Sequence, residues 1–290
     1  IVDRAMQYLR EQEKGDQPFF LYLPLTIPHY ELLVPEDSMS EFRGKFPETP
    51  YTGRRDKVGY PDDYAAQPHP KAATAAMITR MDRDVGRILD LLAELKLDEN
   101  TIVFFTSDNG ATGGPSYPYF FKACGPLRGY KRDLYEGGIR VPMIARWPGH
   151  IAAGGESDLP WYFADVMPTL CELAHTEPPK PTDGISIVPE LLGEKAAGRA
   201  QPQHDYLYWE HQIQHDRNMQ AVRMGDWKAI RFDAGEPLEL YNLRMDVGEQ
   251  HNVADAHPNV VQRMEKIIES AHEEPRPQIE PQRPAGRQYQ

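Results

Sequence analysis

Three segments in fixed order limit what this chain can fold into. An apolar and aromatic run over residues 19–25 lies between a Gly15-Asp16-Gln17-Pro18 turn signal and Pro28. It reads as a buried strand followed by a loop. Residues 71–96 carry Met77, Met81, Ile88, Leu89, Leu92 and Leu95 at helical spacing, with Arg80, Arg83, Arg87 and Glu94 on the remaining surface. That pattern predicts a long amphipathic helix with its apolar stripe in the core. Residues 101–106, Thr-Ile-Val-Phe-Phe-Thr, then predict a second buried strand. Strand, long helix and strand in succession is the signature of an α/β fold with a mainly parallel sheet sandwiched by helices. Residues 141–146 predict a further strand, and residues 162–174 a helix interrupted by Pro168.

Pro35, Pro47, Pro50, Pro61, Pro68 and Pro70 fall between the first strand and the long helix, with few apolar residues among them. A long surface excursion over the mouth of a site is expected there. The composition changes at Thr176-Glu-Pro-Pro-Lys-Pro181. Beyond it, residues 206–209, 219–224, 227–232 and 238–241 read as short strands, with Gly225-Asp226 as a hairpin turn. A helix over 260–271 completes a small antiparallel sheet subdomain. The expected divisions are therefore 1–180 for the larger α/β portion, 181–272 for the small subdomain, and 273–290 for a proline-rich disordered tail. The opening residues 1–10 read as the middle of an amphipathic helix, so an N-terminal truncation is expected.

Charge and composition narrow the function. The 290 residues carry 32 Lys plus Arg against 44 Asp plus Glu, a net charge of −12. So acidic a chain is a poor general coat for nucleic acid, although a small site can still be locally positive. Two cysteines, Cys124 and Cys171, exclude a disulfide framework and a cysteine-rich zinc site. No apolar run reaches the roughly 18 residues that would span a bilayer.

Four places carry residues suited to chemistry. Ser107-Asp108-Asn109-Gly110 directly follows a predicted strand, where ligand sites of open α/β sheets lie. Asp108 and Asn109 offer hard oxygen ligands for calcium or magnesium; the same letters also make an ordinary turn. Residues 125–142 gather Arg128, Lys131, Arg132 and Arg140 with Gly125, Gly129, Gly137 and Gly138. That stretch is either an oxyanion-binding loop or an exposed loop neutralised by Asp133 and Glu136. His29 follows the first strand, where an imidazole could protonate a leaving oxygen or hold an anion, or be structural. Trp209-Glu210-His211 ends a strand of the small subdomain and either touches substrate or covers the core.

Taken in order, these pieces resemble the sulfatase family of the alkaline phosphatase superfamily. The resemblance rests on Pro28-His29, on residues 104–110, and on Leu127-Arg-Gly-Tyr-Lys131 running into residues 134–142. Arg146-Trp-Pro-Gly149, Thr182-Asp-Gly-Ile-Ser186, Leu240-Tyr-Asn-Leu243 and Gly248-Glu-Gln-His-Asn252 fit as well. It implies an alkaline-phosphatase-like fold and hydrolysis of a sulfate ester, of a sulfated carbohydrate or an aryl sulfate, by a formylglycine and a calcium ion. It further implies Asp108 and Asn109 as metal ligands, preferring Ca2+ to Mg2+. His29 and Lys131 become the catalytic and sulfate-binding pair, and His211 a candidate for substrate selection.

The family places its formylglycine motif, an Asp-Asp metal pair and a further Lys and His before the His29 region, and none precedes His29 here. A fragment without the nucleophile, inactive alone, is therefore expected. Cys124-Gly-Pro-Leu-Arg128 matches Cys-x-Pro-x-Arg by letter, but inside the Lys131 loop rather than before a helix, and reads as a decoy. Competing readings are a phosphodiesterase or phosphonate hydrolase of the same superfamily, and a non-catalytic metal- or sulfate-binding homologue. The resemblance also implies a periplasmic or secreted location, with no nucleic-acid partner and no membrane insertion.

Overall fold

The structure, a computed structural model, describes residues 1–53, 64–213 and 217–273. The expected tail beyond Glu273 lies outside the described residues, as does the middle of the proline-rich excursion. The described chain forms two compact units. The larger comprises residues 1–205 with 243–251, and the smaller residues 206–242 with the segment from 252 onward.

In the larger unit, α1 (Val2–Gln12) buries Val2, Ala5 and Leu9. Helix α2 (Glu36–Phe42) was hidden in the proline-rich excursion and places Met39 against Ala72, Ala73 and Met77 of α3 (Pro70–Glu94). The N-terminus of α3 is capped from outside the helix. Glu48 Oε2 accepts the Lys71 N–H at 3.1 Å and Glu48 Oε1 accepts the Ala72 N–H at 2.9 Å. A carboxylate there satisfies two otherwise unpaired donors and opposes the positive end of the helix dipole. At the other end of α3, Leu91 and Leu92 pack with Leu9, and with Phe19, Leu21 and Val103 at the margin.

Strand β1 (Val103–Thr106) pairs with β2 (Met143–Arg146), Val103 facing Arg146 and Thr106 facing Met143. This ladder is antiparallel, and it is the larger unit's only sheet among the described residues. The expected strand at 19–25 belongs to no ladder among the described residues. Its side chains nevertheless alternate, with Phe19 and Leu21 on the helix core while Phe20 and Tyr22 stay 69% and 75% exposed. The chain is α/β as expected, but the parallel pairing inferred from element order is not among its described ladders. Order specifies which elements exist, whereas pairing requires a neighbour for the backbone donors.

Between β1 and β2 lie the single turns α4 (Pro118–Phe121) and α5 (Glu136–Ile139). After β2 comes α6 (Val166–Leu173), then the short α7 (Val188–Leu192) and α8 (Glu194–Ala197). Asp165, fully buried, ties this region together. Its carboxylate accepts the Tyr162 N–H at 3.0 Å and the Ile185 N–H at 2.7 Å, and lies 2.8 Å from His204 Nε2. Through these bonds residues 181–205 pack with the larger unit, and the contact boundary falls after Asp205.

The smaller unit is a four-stranded antiparallel meander, β3 (Leu207–Ile213), β4 (Arg217–Met224), β5 (Trp227–Arg231) and β6 (Glu239–Asn242), in sequential order. Helix α9 (Pro258–Ala271) covers one face. Val222, Ala229 and Leu240 of the sheet meet Met264 and Ile268 of the helix, all essentially inaccessible to water. Alternation along the strands and a period near 3.6 along the helix supply the two apolar faces. No helix among the described residues is long and apolar enough to cross a membrane.

Candidate functional site

Two loops after β1 are stitched together by backbone. The Lys131 N–H donates to the Ala111 carbonyl at 2.9 Å, and the Gly110 N–H to the Gly138 carbonyl at 2.9 Å. The Gly137 N–H closes the second loop on the Arg128 carbonyl at 2.7 Å. The approach is too close for side chains: a Cβ on Gly110 would sit 1.8 Å from the Gly137 oxygen, and one on Gly138 would sit 2.0 Å from the Asp133 oxygen. Glycine is required at these positions by contact rather than by φ.

A brace stands behind the Lys131 loop. Glu249, fully buried, accepts the Glu136 N–H at 2.7 Å, while its own carbonyl accepts from Arg128 Nη1 at 2.8 Å. The Arg128 guanidinium lies 3.9 Å from the Tyr135 ring centre. Residues 243–251 thus hold the cationic loop in place, a role that sequence spacing alone did not reveal.

The stitched loops place Lys131 against His29. Lys131 Nζ and His29 Nε2 are 3.3 Å apart, across 102 positions of sequence. An ammonium has only protons to give, so Nε2 accepts and the imidazole proton resides on Nδ1. Burial is the main cause holding His29 below its ordinary value of 6.5; the Lys131 and Arg132 charges act in the same direction, and Asp108 opposes them. His29 is therefore neutral near pH 7. The two residues border a cleft of about 250 Å3, completed by Arg132, Asp133, Tyr30, Tyr64 and Tyr130; the Asp133 carboxylate accepts the Tyr130 N–H at 3.0 Å. The tyrosines were not singled out in the sequence. Tyr30 and Tyr130 adjoin His29 and Lys131, which is a usable signal, whereas Tyr64 carries none.

Asp108 and Asn109 lie where expected, in the loop directly after β1. Asn109 Nδ2 donates to Asp108 Oδ1 at 3.0 Å and to the Gly110 carbonyl at 3.2 Å. Ser107 Oγ donates to the Asn109 carbonyl at 2.9 Å, which shapes the turn. An adjacent carboxylate and amide suit a hard cation, which takes about six to eight oxygens if it is calcium. No group of three or more His, Cys, Asp or Glu is gathered for a metal among the described residues. The pair fits as part of a coordination shell, not the whole of one.

Two candidates remain, Cys124 and His211. Cys124 Sγ donates to the Gly137 carbonyl at 3.4 Å, and it is not among the residues lining the cleft. Arg128, the last letter of the Cys-x-Pro-x-Arg match, donates to the Glu249 carbonyl at 2.8 Å. His211 belongs to the smaller unit, on β3 opposite Met219.

The Sulfatase family model matches residues 1–176, and the model for the C-terminal part of N-sulphoglucosamine sulphohydrolase matches residues 129–274. A sulfatase of Formosa agariphila is 31% identical over 89% of this chain and 46% of its own length. Human arylsulfatase A is 30% identical over 91% of this chain and 50% of its own. The chain therefore spans about half the length of these relatives. Among solved structures, Ps i-CgsB in complex with a neocarrahexaose superposes with a TM-score of 0.73 at 25% identity, over 93% of this chain and 53% of that one. A family match that covers more than half of the chain, and takes in His29, Asp108, Asn109 and Lys131, shows that the chain belongs to the sulfatase family.

Proposed function

We propose that this chain provides the sulfate-binding and part of the metal-binding side of a sulfuric ester hydrolase that acts on sulfated carbohydrate. The observation that carries the reading is the convergence of Lys131 and His29 at 3.3 Å on a cleft edged by Arg132. Fixed cationic donors at such a point suit the oxygens of a sulfuryl group, where they offset charge without reorganising. Relatives named as sulfatases, and a solved relative holding a carrahexaose, support the substrate class.

In this reading Lys131 releases His29 and donates to the sulfuryl oxygens when the ester enters. The arriving anion offsets the Lys131 charge and raises the proton affinity of the imidazole. His29 can then take up a proton and hold it at Nε2 beside the leaving oxygen, so that the alcohol departs neutral. Arg132 adds positive potential at the rim. When bound, a hard cation on Asp108 and Asn109 would act as a Lewis acid toward the sulfuryl oxygens, and a formylglycine would supply the nucleophile. No residue of this chain is assigned as that formylglycine, and residues 1–290 alone should turn over little sulfate ester. A periplasmic or secreted location is part of the same proposal.

Calorimetric titration of the chain with inorganic sulfate tests the reading. Saturable binding that is lost in Lys131→Ala supports it. Absence of binding, or binding indifferent to Lys131, would sink it.

A further inference from the structure

The cleft is lined by three tyrosines as well as by His29, Lys131, Arg132 and Asp133, and sulfate binding at Lys131 and His29 leaves the tyrosines without a role. Tyr30 and Tyr64 meet at 5.4 Å between ring centres with planes at 71°. His29 contacts both, at 5.5 Å from Tyr30 and 6.1 Å from Tyr64. Each of the three rings therefore buttresses the other two, and the rings are only half-buried. Tyr130, which also lines the cleft, is met edge-on by Tyr119 at 5.9 Å and 84°, and Tyr119 is itself 76% exposed.

Adjacent glycines make the room for this arrangement. A Cβ on Gly113 would lie 2.5 to 3.1 Å from three atoms of the Tyr130 ring. One on Gly114 would lie 3.3 to 3.6 Å from the Tyr30 ring and hydroxyl, at a φ of +58° that disfavours any side chain. Gly113 and Gly114 thus admit one tyrosine each.

We propose that Tyr30, Tyr64 and Tyr130 form an aromatic seat that grips the pyranose ring bearing the sulfate, and so determine which esters reach His29 and Lys131. The proposal rests on the sulfate-binding reading above. The chemistry is that of a sugar: its axial C–H groups form an apolar face for an aromatic ring, and its hydroxyls can pair with the tyrosine hydroxyls at the edges. The volume agrees. Pockets for drug-sized ligands run to about 300–1,000 Å3, so a cleft of about 250 Å3 has room for a single sulfated ring.

The test compares three probes by calorimetry on the full chain: inorganic sulfate, a methyl pyranoside 6-sulfate, and hexyl sulfate as a ringless ester. The wild-type chain should bind the sulfated pyranoside more tightly than either of the others. Tyr64→Ala and Tyr30→Ala, checked by circular dichroism, should weaken the pyranoside sulfate by about three- to tenfold more than they weaken inorganic sulfate. Tyr64→Phe should retain most of the preference, because the ring face remains. Equal affinity for the pyranoside and hexyl esters would overturn the aromatic seat, as would a Tyr64→Ala effect that is absent or equal for all three probes. Failure of inorganic sulfate to bind the wild-type chain is a different result: it removes the anion site itself, and the seat with it.

Discussion

The side chain of Lys131 reaches His29 at 3.3 Å while the backbone of the same residue is bonded to Ala111 at 2.9 Å. One residue therefore joins the loop after β1, the cationic loop and the segment carrying His29. Its side chain is aimed at the cleft because its main chain is already held. The glycines around it permit that hold, and the Glu249 brace keeps the loop from swinging outward.

Removing the Lys131 charge should move His29. Burial remains in Lys131→Met, but the second cause of the depressed value is gone, so the imidazole should titrate closer to 6.5. An NMR titration of the His29 ring protons measures this directly; no change in Lys131→Met would contradict the pairing. The linked stability has a definite sign. Between the depressed folded value and 6.5 the unfolded chain binds more protons, so the His29 contribution is full above about 6.5 and declines as pH falls through that window.

Gly110→Ala should be among the most damaging single changes in the larger unit. The added methyl would meet the Gly137 carbonyl at 1.8 Å, which only a shift of backbone can relieve. A loss of about 2–4 kcal/mol is expected, read by urea unfolding, together with loss of sulfate binding. Wild-type stability in this variant would show that the two loops are not held as tightly as their hydrogen bonds imply.

Glu48→Ala should loosen the start of α3 without touching the cleft. It deletes both side-chain acceptors from the Lys71 and Ala72 N–H groups. By analogy with cap removal the cost is about 1 kcal/mol, seen as a lower unfolding midpoint and faster hydrogen exchange in the first turn. Unaltered exchange there would rule out the capping role.

The smaller unit should loosen in acid through Glu210. Burial, the largest single influence, favours its neutral form, but hydrogen bonds from His272, Tyr208 and Asn218 outweigh it and hold the carboxyl below its ordinary 4.5. Its stabilisation is therefore present above about 4.5 and lost as pH falls through the lower folded value. Because His272 Nδ1 lies 2.9 Å from Glu210 Oε2, the end of α9 should be first to gain exchange. Glu210→Gln should abolish that pH dependence; an unchanged acid profile would exclude Glu210 as its source.

Cys124→Ser should leave inorganic sulfate binding within about twofold of wild type, since the sulfur bonds the Gly137 carbonyl and does not line the cleft. Binding abolished by this change would reinstate the cysteine as part of the site.

Local signals were legible wherever one element's own periodicity sufficed. The stripe through Met77 and Leu92 foretold α3, the short strand-like runs with the Gly225-Asp226 turn foretold the meander, and Asp108, Asn109, His29 and Lys131 were marked by residue type and by resemblance. Helix α2 escaped notice because prolines surround it and its apolar partners lie on α3. The run at 19–25 looked like a strand because side-chain alternation is a property of sequence, whereas a ladder requires a hydrogen-bonding neighbour.

What the sequence determined by itself was therefore the identity of the elements and of the chemically capable residues. Only the tertiary structure decided that Lys131 meets His29, 102 positions away in sequence, that Cys124 contacts the Gly137 carbonyl, and that Tyr30, Tyr64 and Tyr130 face one cleft. The reason is physical: period and propensity act over a few residues of chain, while these contacts depend on loop closure, on backbone approaches that Gly110, Gly137 and Gly138 allow, and on the room Gly113 leaves for the Tyr130 ring.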